Sequence, residues 1–405
     1  MKIYGVIKRY PFLFIYLIFI SGILFILRNG AKLEYEWLLI LKDFEKSSEY
    51  RIYGVPSAFM PPFYPYFLLL CKKLFSFTSY WESLACVIQA TIFFWSVSFF
   101  YQIFFRHQDT KKLVCLVAVV FFPPIFFAVC KISSFAFSLS IIVIFFAQIY
   151  QIFILAKRSN RQYIYLFLSI ACGLYLRYEF ILIVALTFLI LVFLKKIKFH
   201  RILILIIATW LLYLPWSIRN YEKIGIFSYS TSFNYNFAKG NSLNYNIFSY
   251  SNFPYAPKSK EILYNEVLYE RFRSEKDIEK YLKQLNESFV KENPVYFIKL
   301  SIQKVGINLV QYFPDYNFLS NRFLAFSYSL MSLVLQFFFL FSIFRNVKSN
   351  RNYEISILSF GLYLFFLFFY SIAPLPRYFL FFFPIFILII ACFWFKDSAE
   401  KINTN

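Results

Sequence analysis

Between Glu82 and Arg106 runs SLACVIQATIFFWSVSFFYQIFF, residues 83–105, without one Asp, Glu, Lys or Arg. A helix rises 1.5 Å per residue and needs about 20 mostly apolar residues to cross the ~30 Å hydrocarbon core of a bilayer. This stretch is long enough, and it is not alone. Comparable runs lie at 12–27, 113–129, 134–155, 163–176, 180–194, 202–216, 323–343, 355–372 and 378–395. The expectation is an all-α polytopic membrane protein of about ten transmembrane helices.

Composition agrees. Of 405 residues, 60% are hydrophobic and 24% aromatic, with 59 Phe and 33 Tyr, while 16% are charged. A soluble chain is roughly a quarter charged, so this one lacks the polar side chains to cover a globule of its size. Disordered and collagenous classes are excluded by the apolar content and the absence of a glycine period. Lys2, Lys8 and Arg9 ahead of the first run look like a signal n-region, but no small-residue cleavage site follows, so the segment reads as a retained anchor. Six cysteines lie scattered without any CxxC and read as packing residues. The two histidines, His107 and His200, leave little room for His-based metal or triad chemistry.

The formal charge is +21, and its distribution orients the helices. With the N-terminus inside, the inside loops collect Lys2, Lys8, Arg9; Arg106, Lys111, Lys112; Lys157, Arg158, Arg161; Lys195, Lys196, Lys198, Arg201; Arg345, Lys348, Arg351; Lys396 and Lys401, against Asp109, Glu354, Asp397 and Glu400. Basic residues concentrate in cytoplasmic loops, so both termini are expected there, in an inner-membrane protein. The other side receives two sizeable segments, 29–80 and 217–320. The chain divides into an N-terminal membrane region (1–216) carrying the first outer loop, an outer region (217–320), and a C-terminal membrane region (321–405).

Within the outer segments, PPFYPYFLLLCKKLF (61–75) predicts a short interfacial helix begun through prolines. KDIEKYLKQLNESFVKE (276–292) has helical spacing and stops at Asn293-Pro294. The 217–255 stretch shows no helical period and predicts folded loop or short strands.

The span interiors are nearly free of charge. Polar residues that need explaining gather at the outer end instead: Glu34, Glu36, Lys131, Arg177, Glu179, Arg219, Lys239 and Arg377. Singly, each has a plain reading. Arg177 with Glu179 reads as a surface pair, Lys131 and Arg377 as snorkelling side chains, Pro61 and Pro62 as helix-shaping residues. Together they describe a basic mouth beside acyl chains, suited to a lipid-linked phosphate, with a carboxylate in reach to take a proton.

Four stretches then carry a family resemblance: PSAFMPPFYPYFLL (56–69), GLYLRYE (173–179), PWSIRNYEKIGIFSYSTSFNYNFAKGN (215–241) and PLPRYFLFFFP (374–384), with ESFVKENPVYFIKLSIQK (287–304) after them. In this order they resemble the landmarks of bacterial GT-C glycosyltransferases related to the dolichyl-phosphate-mannose protein mannosyltransferases (family 39-like). The resemblance implies an inverting enzyme that moves a sugar from a polyprenyl-phosphate donor to a glycolipid, polysaccharide or protein at the outer face. It implies Glu34 or Glu36 as the base, and Lys131, Arg177, Arg219 and Arg377 as donor-phosphate contacts. Pro61, Pro62, Tyr64, Glu179, Lys239, Gly240, Asn241 and Tyr378 would shape the loops and the substrate site, Gly240 and Asn241 through a tight turn. The chain departs from the family where an Asp is usual, near Leu33, and where a Glu is usual, at Phe135. No cofactor is called for; a divalent cation, if used, would rest on Glu34, Glu36 or lipid phosphate oxygens. Competing readings are a lipid-linked-sugar flippase or other transporter, an O-antigen polymerase or ligase, and a non-catalytic relative.

Overall fold

The computed structural model describes residues 10–28, 30–31, 35–106, 108–157, 159–241, 265–310, 322–349, 353–369 and 380–394. The described chain is helical apart from one two-stranded hairpin. Helix α1 (Pro11–Leu27) starts on a proline at its first turn, where the missing N–H costs nothing. Then come α2 (Tyr35–Ser47), β1 (Arg51–Ile52), β2 (Val55–Pro56) and α3 (Phe63–Leu74). The hairpin turns through Tyr53 and Gly54, both at positive φ (54° and 76°), the backbone of a tight primed turn. Gly54 N–H donates to Asp43 Oδ2 at 2.7 Å, tying the turn to α2.

Helices α4 (Trp81–Phe104) and α7 (Phe135–Ile149, continued as a π turn over Tyr150–Ile154) form the centre. Nearly every residue of α7 is buried, as expected of a helix apolar on all sides, and α7 packs on α4 and on α8 (Asn160–Leu176). Between α4 and α7, the 113–129 run becomes α5 (Asp109–Val120) and α6 (Pro123–Val129), bent by 65°. Pro123 and Pro124 are the cause: the residue before a proline is pushed out of the helical region, and Phe122 is extended (ψ 113°).

Helix α8 opens on a capping box, Ser159 with Gln162. It is followed by α9 (Phe180–Phe193) and α10 (Phe199–Ile224). The latter passes eight residues beyond the expected end at Trp216 before Gly225, at φ 76°, closes it. Next are α11 (Ser232–Gly240), α12 (Asn265–Phe272), α13 (Glu275–Glu292) and α14 (Pro294–Val310). Helix α11 replaces the loop or strands expected there. Finally α15 (Arg322–Lys348), α16 (Tyr353–Phe369) and, after a single 3-10 turn (Leu380–Phe382), α17 (Phe383–Trp394) complete the bundle, α16 against α9 and α17 against α5 and α15.

Among the described residues, each of the ten expected spans falls at least in part on helix. Among the described residues, α4 and α7 with its π turn are long and apolar enough to cross a membrane, and the bent α5–α6 pair makes a third if counted as one span. Helices α1, α9, α16 and the 380–392 segment are apolar, with 10–17 described residues each.

Candidate functional site

The turn after α6 carries Lys131. Its backbone carbonyl accepts from Gln89 Nε2 at 2.5 Å, and the same nitrogen donates to Val129 carbonyl at 3.1 Å. Gln89 Oε1 in turn accepts from the Tyr64 hydroxyl at 3.0 Å. Both Tyr64 and Gln89 are fully buried. Pro61 and Pro62, also buried, deliver the chain into α3 so that Tyr64 faces α4; the Tyr64 ring meets Trp37 edge-on at 4.9 Å. Two residues singled out from the sequence, Tyr64 and Lys131, are therefore joined through a third that was not. A buried amide within an otherwise apolar run was the available signal.

Arg177 and Glu179 lie in the turn from α8 to α9 and form an ion pair, Nε to Oε1. They are not a surface pair: their side chains are 15% and 3% exposed. The Arg177 guanidinium also lies 5.3 Å over the Phe381 ring, and Phe135 stacks on the same ring at 5.1 Å. Phe135 and Arg177 thus share one aromatic neighbour. Ser138, Ile142, Gly173 and Phe180 line a small crevice with Arg177 and Glu179.

Next to this turn, a second layer is assembled from 50–60, 226–231 and α11–α13. Arg219 Nη1 donates to Ser57 carbonyl at 2.6 Å and to Asn220 Oδ1 at 3.0 Å, and Nη2 to Tyr50 carbonyl at 2.9 Å. The guanidinium packs on Trp216 at 4.9 Å, and burial lowers its pKa from the usual arginine value. Glu275 is 2% exposed. Its Oε1 accepts from Ala58 N–H at 2.7 Å and from the Thr231 hydroxyl, and its Oε2 from the Tyr269 hydroxyl at 2.8 Å. Burial, then the Glu275 charge, holds the Tyr269 phenol well above its ordinary range. Four residues along α13, Glu279 accepts from Asn234 Nδ2 at 2.6 Å; burial first pushes its carboxyl up to about 7.

Gly240 is the last residue of α11 and Asn241 its cap, a helix end rather than the expected tight turn. Asn241 Oδ1 accepts from Lys304 Nζ at 2.5 Å. Lys304 is wholly buried, and burial brings its amine down to about 7. Glu275, Glu279 and Lys304 escaped the sequence reading, since each sits on a helix whose charge pattern looks solvated. Glu34, Arg377 and Tyr378 lie outside the described residues, as do the side chains of Glu36 and Lys239; Glu36 stands in the first turn of α2 and Lys239 in the last turn of α11. Among the described residues, no three His, Cys, Asp or Glu side chains gather to hold a metal.

No protein-family model matches the chain, and no curated protein does. It is similar to the crystal structure of ArnT from Cupriavidus metallidurans in the apo state, at 13% identity over 96% of this chain and 77% of that one, with a TM-score of 0.42.

Proposed function

We propose that the chain is a membrane glycosyltransferase of the GT-C kind, moving a sugar from a polyprenyl-phosphate donor to a glycolipid, polysaccharide or protein acceptor at the outer face of the cytoplasmic membrane. The observation that supports this reading is the shared Phe381 ring: Arg177 lies over it, and so does Phe135, four residues after Lys131 in the chain, which links two cation-bearing turns of an apolar bundle. The first is fixed to α4 through Gln89 and the second rests on Phe381, a short way along the chain from Arg377.

In this scheme an acceptor hydroxyl oxygen attacks the anomeric carbon while the bond from that carbon to the phosphate oxygen breaks. Glu34 or Glu36 takes the hydroxyl proton. Lys131, Arg177 and Arg377 stabilise the charge left on the polyprenyl phosphate, and apolar grooves between helices hold the isoprenoid. Loss of one such contact costs about 10²–10³ in rate.

The test is purified protein incubated with a panel of radiolabelled polyprenyl-phosphate sugars, with Glu34→Gln, Glu36→Gln and Arg377→Ala in parallel. Transfer that falls strongly in Arg377→Ala and in one of the two Gln variants is expected. Full activity in both Gln variants removes the base assignment. Donor movement across vesicles without any new glycosidic bond describes a flippase instead.

A further inference from the structure

We infer that Arg219 and Glu275 are positioning residues, a pair of opposite charges that grips the single peptide unit between Ser57 and Ala58 and thereby sets the first outer loop over the mouth. Ser57 carbonyl and Ala58 N–H belong to the same amide. Arg219 Nη1 holds its oxygen at 2.6 Å, and Glu275 Oε1 holds its nitrogen at 2.7 Å. Ser57 and Ala58 are 0% and 1% exposed, so both amide groups need partners within the protein. They receive charged ones, which make hydrogen bonds roughly twice as strong as neutral pairs.

The grip continues on either side. Arg219 Nη2 and Ser57 N–H both meet Tyr50 carbonyl, at 2.9 and 3.2 Å. Thr231 donates its hydroxyl to Glu275 and its N–H to Ala58 carbonyl at 3.1 Å. Ser230 Oγ donates to Phe59 carbonyl at 2.9 Å, and Tyr50 hydroxyl to Met60 carbonyl at 2.9 Å. The gripped segment then runs through Pro61 and Pro62 to Tyr64, whose ring meets Trp37, the neighbour of Glu36. A residue 217 positions away thus fixes the frame in which a candidate base is carried.

This inference gives Arg219 a different role from a phosphate contact, since three of the five N–H donors of a guanidinium are spent on Ser57, Asn220 and Tyr50. It rests on the glycosyltransferase reading only for the loop's purpose; the grip itself is tested without activity. Hydrogen–deuterium exchange of the purified full chain follows the peptide over residues 57–60 in Arg219→Ala, Glu275→Ala and the double variant. Each single substitution is expected to speed exchange there about tenfold or more, with the double no worse than the worse single, because one amide held at both ends is one unit. Unchanged exchange in either single variant, or a double effect equal to the product of the two, overturns the inference.

Where alanine variants fail to fold, Arg219→Lys, Glu275→Gln and Thr231→Val take their place. Glu275→Gln keeps an acceptor for Ala58 and retains most protection, whereas Thr231→Val loosens the same peptide. If transfer is detected, kcat is expected to fall in both single variants with the donor KM changed less than about twofold. A donor KM that rises in the Arg219 variant alone returns Arg219 to phosphate binding and overturns the paired role.

Discussion

The Tyr64 hydroxyl and the Gln89 amide, 3.0 Å apart, join helix α3 to α4, and the far side of that amide holds the turn of Lys131. Removing Gln89 affects Tyr64, Cys86, Val129 and Lys131 at once, whereas removing the hydroxyl leaves the Gln89 amide its contacts to the other three. Gln89→Leu is therefore expected to destabilise by about 2–5 kcal/mol and Tyr64→Phe by about 1–2 kcal/mol, each buried group left unpaired costing ~1–3 kcal/mol. Unfolding in detergent checks the order, and a larger loss in Tyr64→Phe contradicts it.

Glu179→Ala strips the partly buried Arg177 guanidinium of its buried carboxylate partner. Breaking such a pair costs about 3–5 kcal/mol, against about 1 kcal/mol or less for an exposed pair. The double variant Arg177→Ala/Glu179→Ala is expected to be less harmful than the sum of the singles. Additive, sub-kilocalorie effects would place the pair in solvent after all.

Gly173 sits where a Cβ would lie 2.4 Å from the Phe180 ring. Gly173→Ala should overpack the base of the Arg177 turn and cost about 1–3 kcal/mol. Adding Phe180→Leu, which shrinks the obstacle, should recover part of the loss in the same unfolding measurement.

Two buried groups predict a dip in stability near neutrality. The Glu279 carboxyl is pushed up to about 7 by burial, so the folded state holds its proton where the unfolded chain has lost it; this stability is full below about 4.5 and lost as pH rises through about 7. Lys304 is brought down to about 7 by burial, so its contribution is full above about 10.5 and lost as pH falls through about 7. Glu279→Gln should flatten the acid limb of a stability–pH curve and Lys304→Met the alkaline limb. A wild-type curve with a maximum at pH 7 that neither substitution changes would refute both assignments.

Much of the helix inventory was legible because apolar runs and their charged ends are local signals. Residues 83–105, 134–155 and 276–292 became α4, α7 with its π turn, and α13 nearly as written. The ends of the helices were less legible, since an apolar run does not mark where its helix stops: the 202–216 run continues as α10 to Ile224. Proline reads differently by context: Pro123 and Pro124 bend a run that composition alone makes continuous, while Pro215 sits inside α10 without ending it. The site divides the same way. Arg177 and Glu179 stood out as polar groups at one end of apolar stretches, and Tyr64 through the proline cluster around it. Glu275 did not, because the partners that bury it, Ala58 and Thr231, are 217 and 44 residues away, and no window along the chain contains them together.

The bend between α5 and α6 acts as a lever arm. The seven residues of α6 span about 10 Å, so straightening a 65° bend would swing the far end, and the Lys131 turn with it, by a similar distance. Gln89 could not follow. Two prolines that only interrupt a helix thus set where a cation stands on the opposite side of the turn, and Pro123→Ala/Pro124→Ala would act at a distance on a residue it never touches.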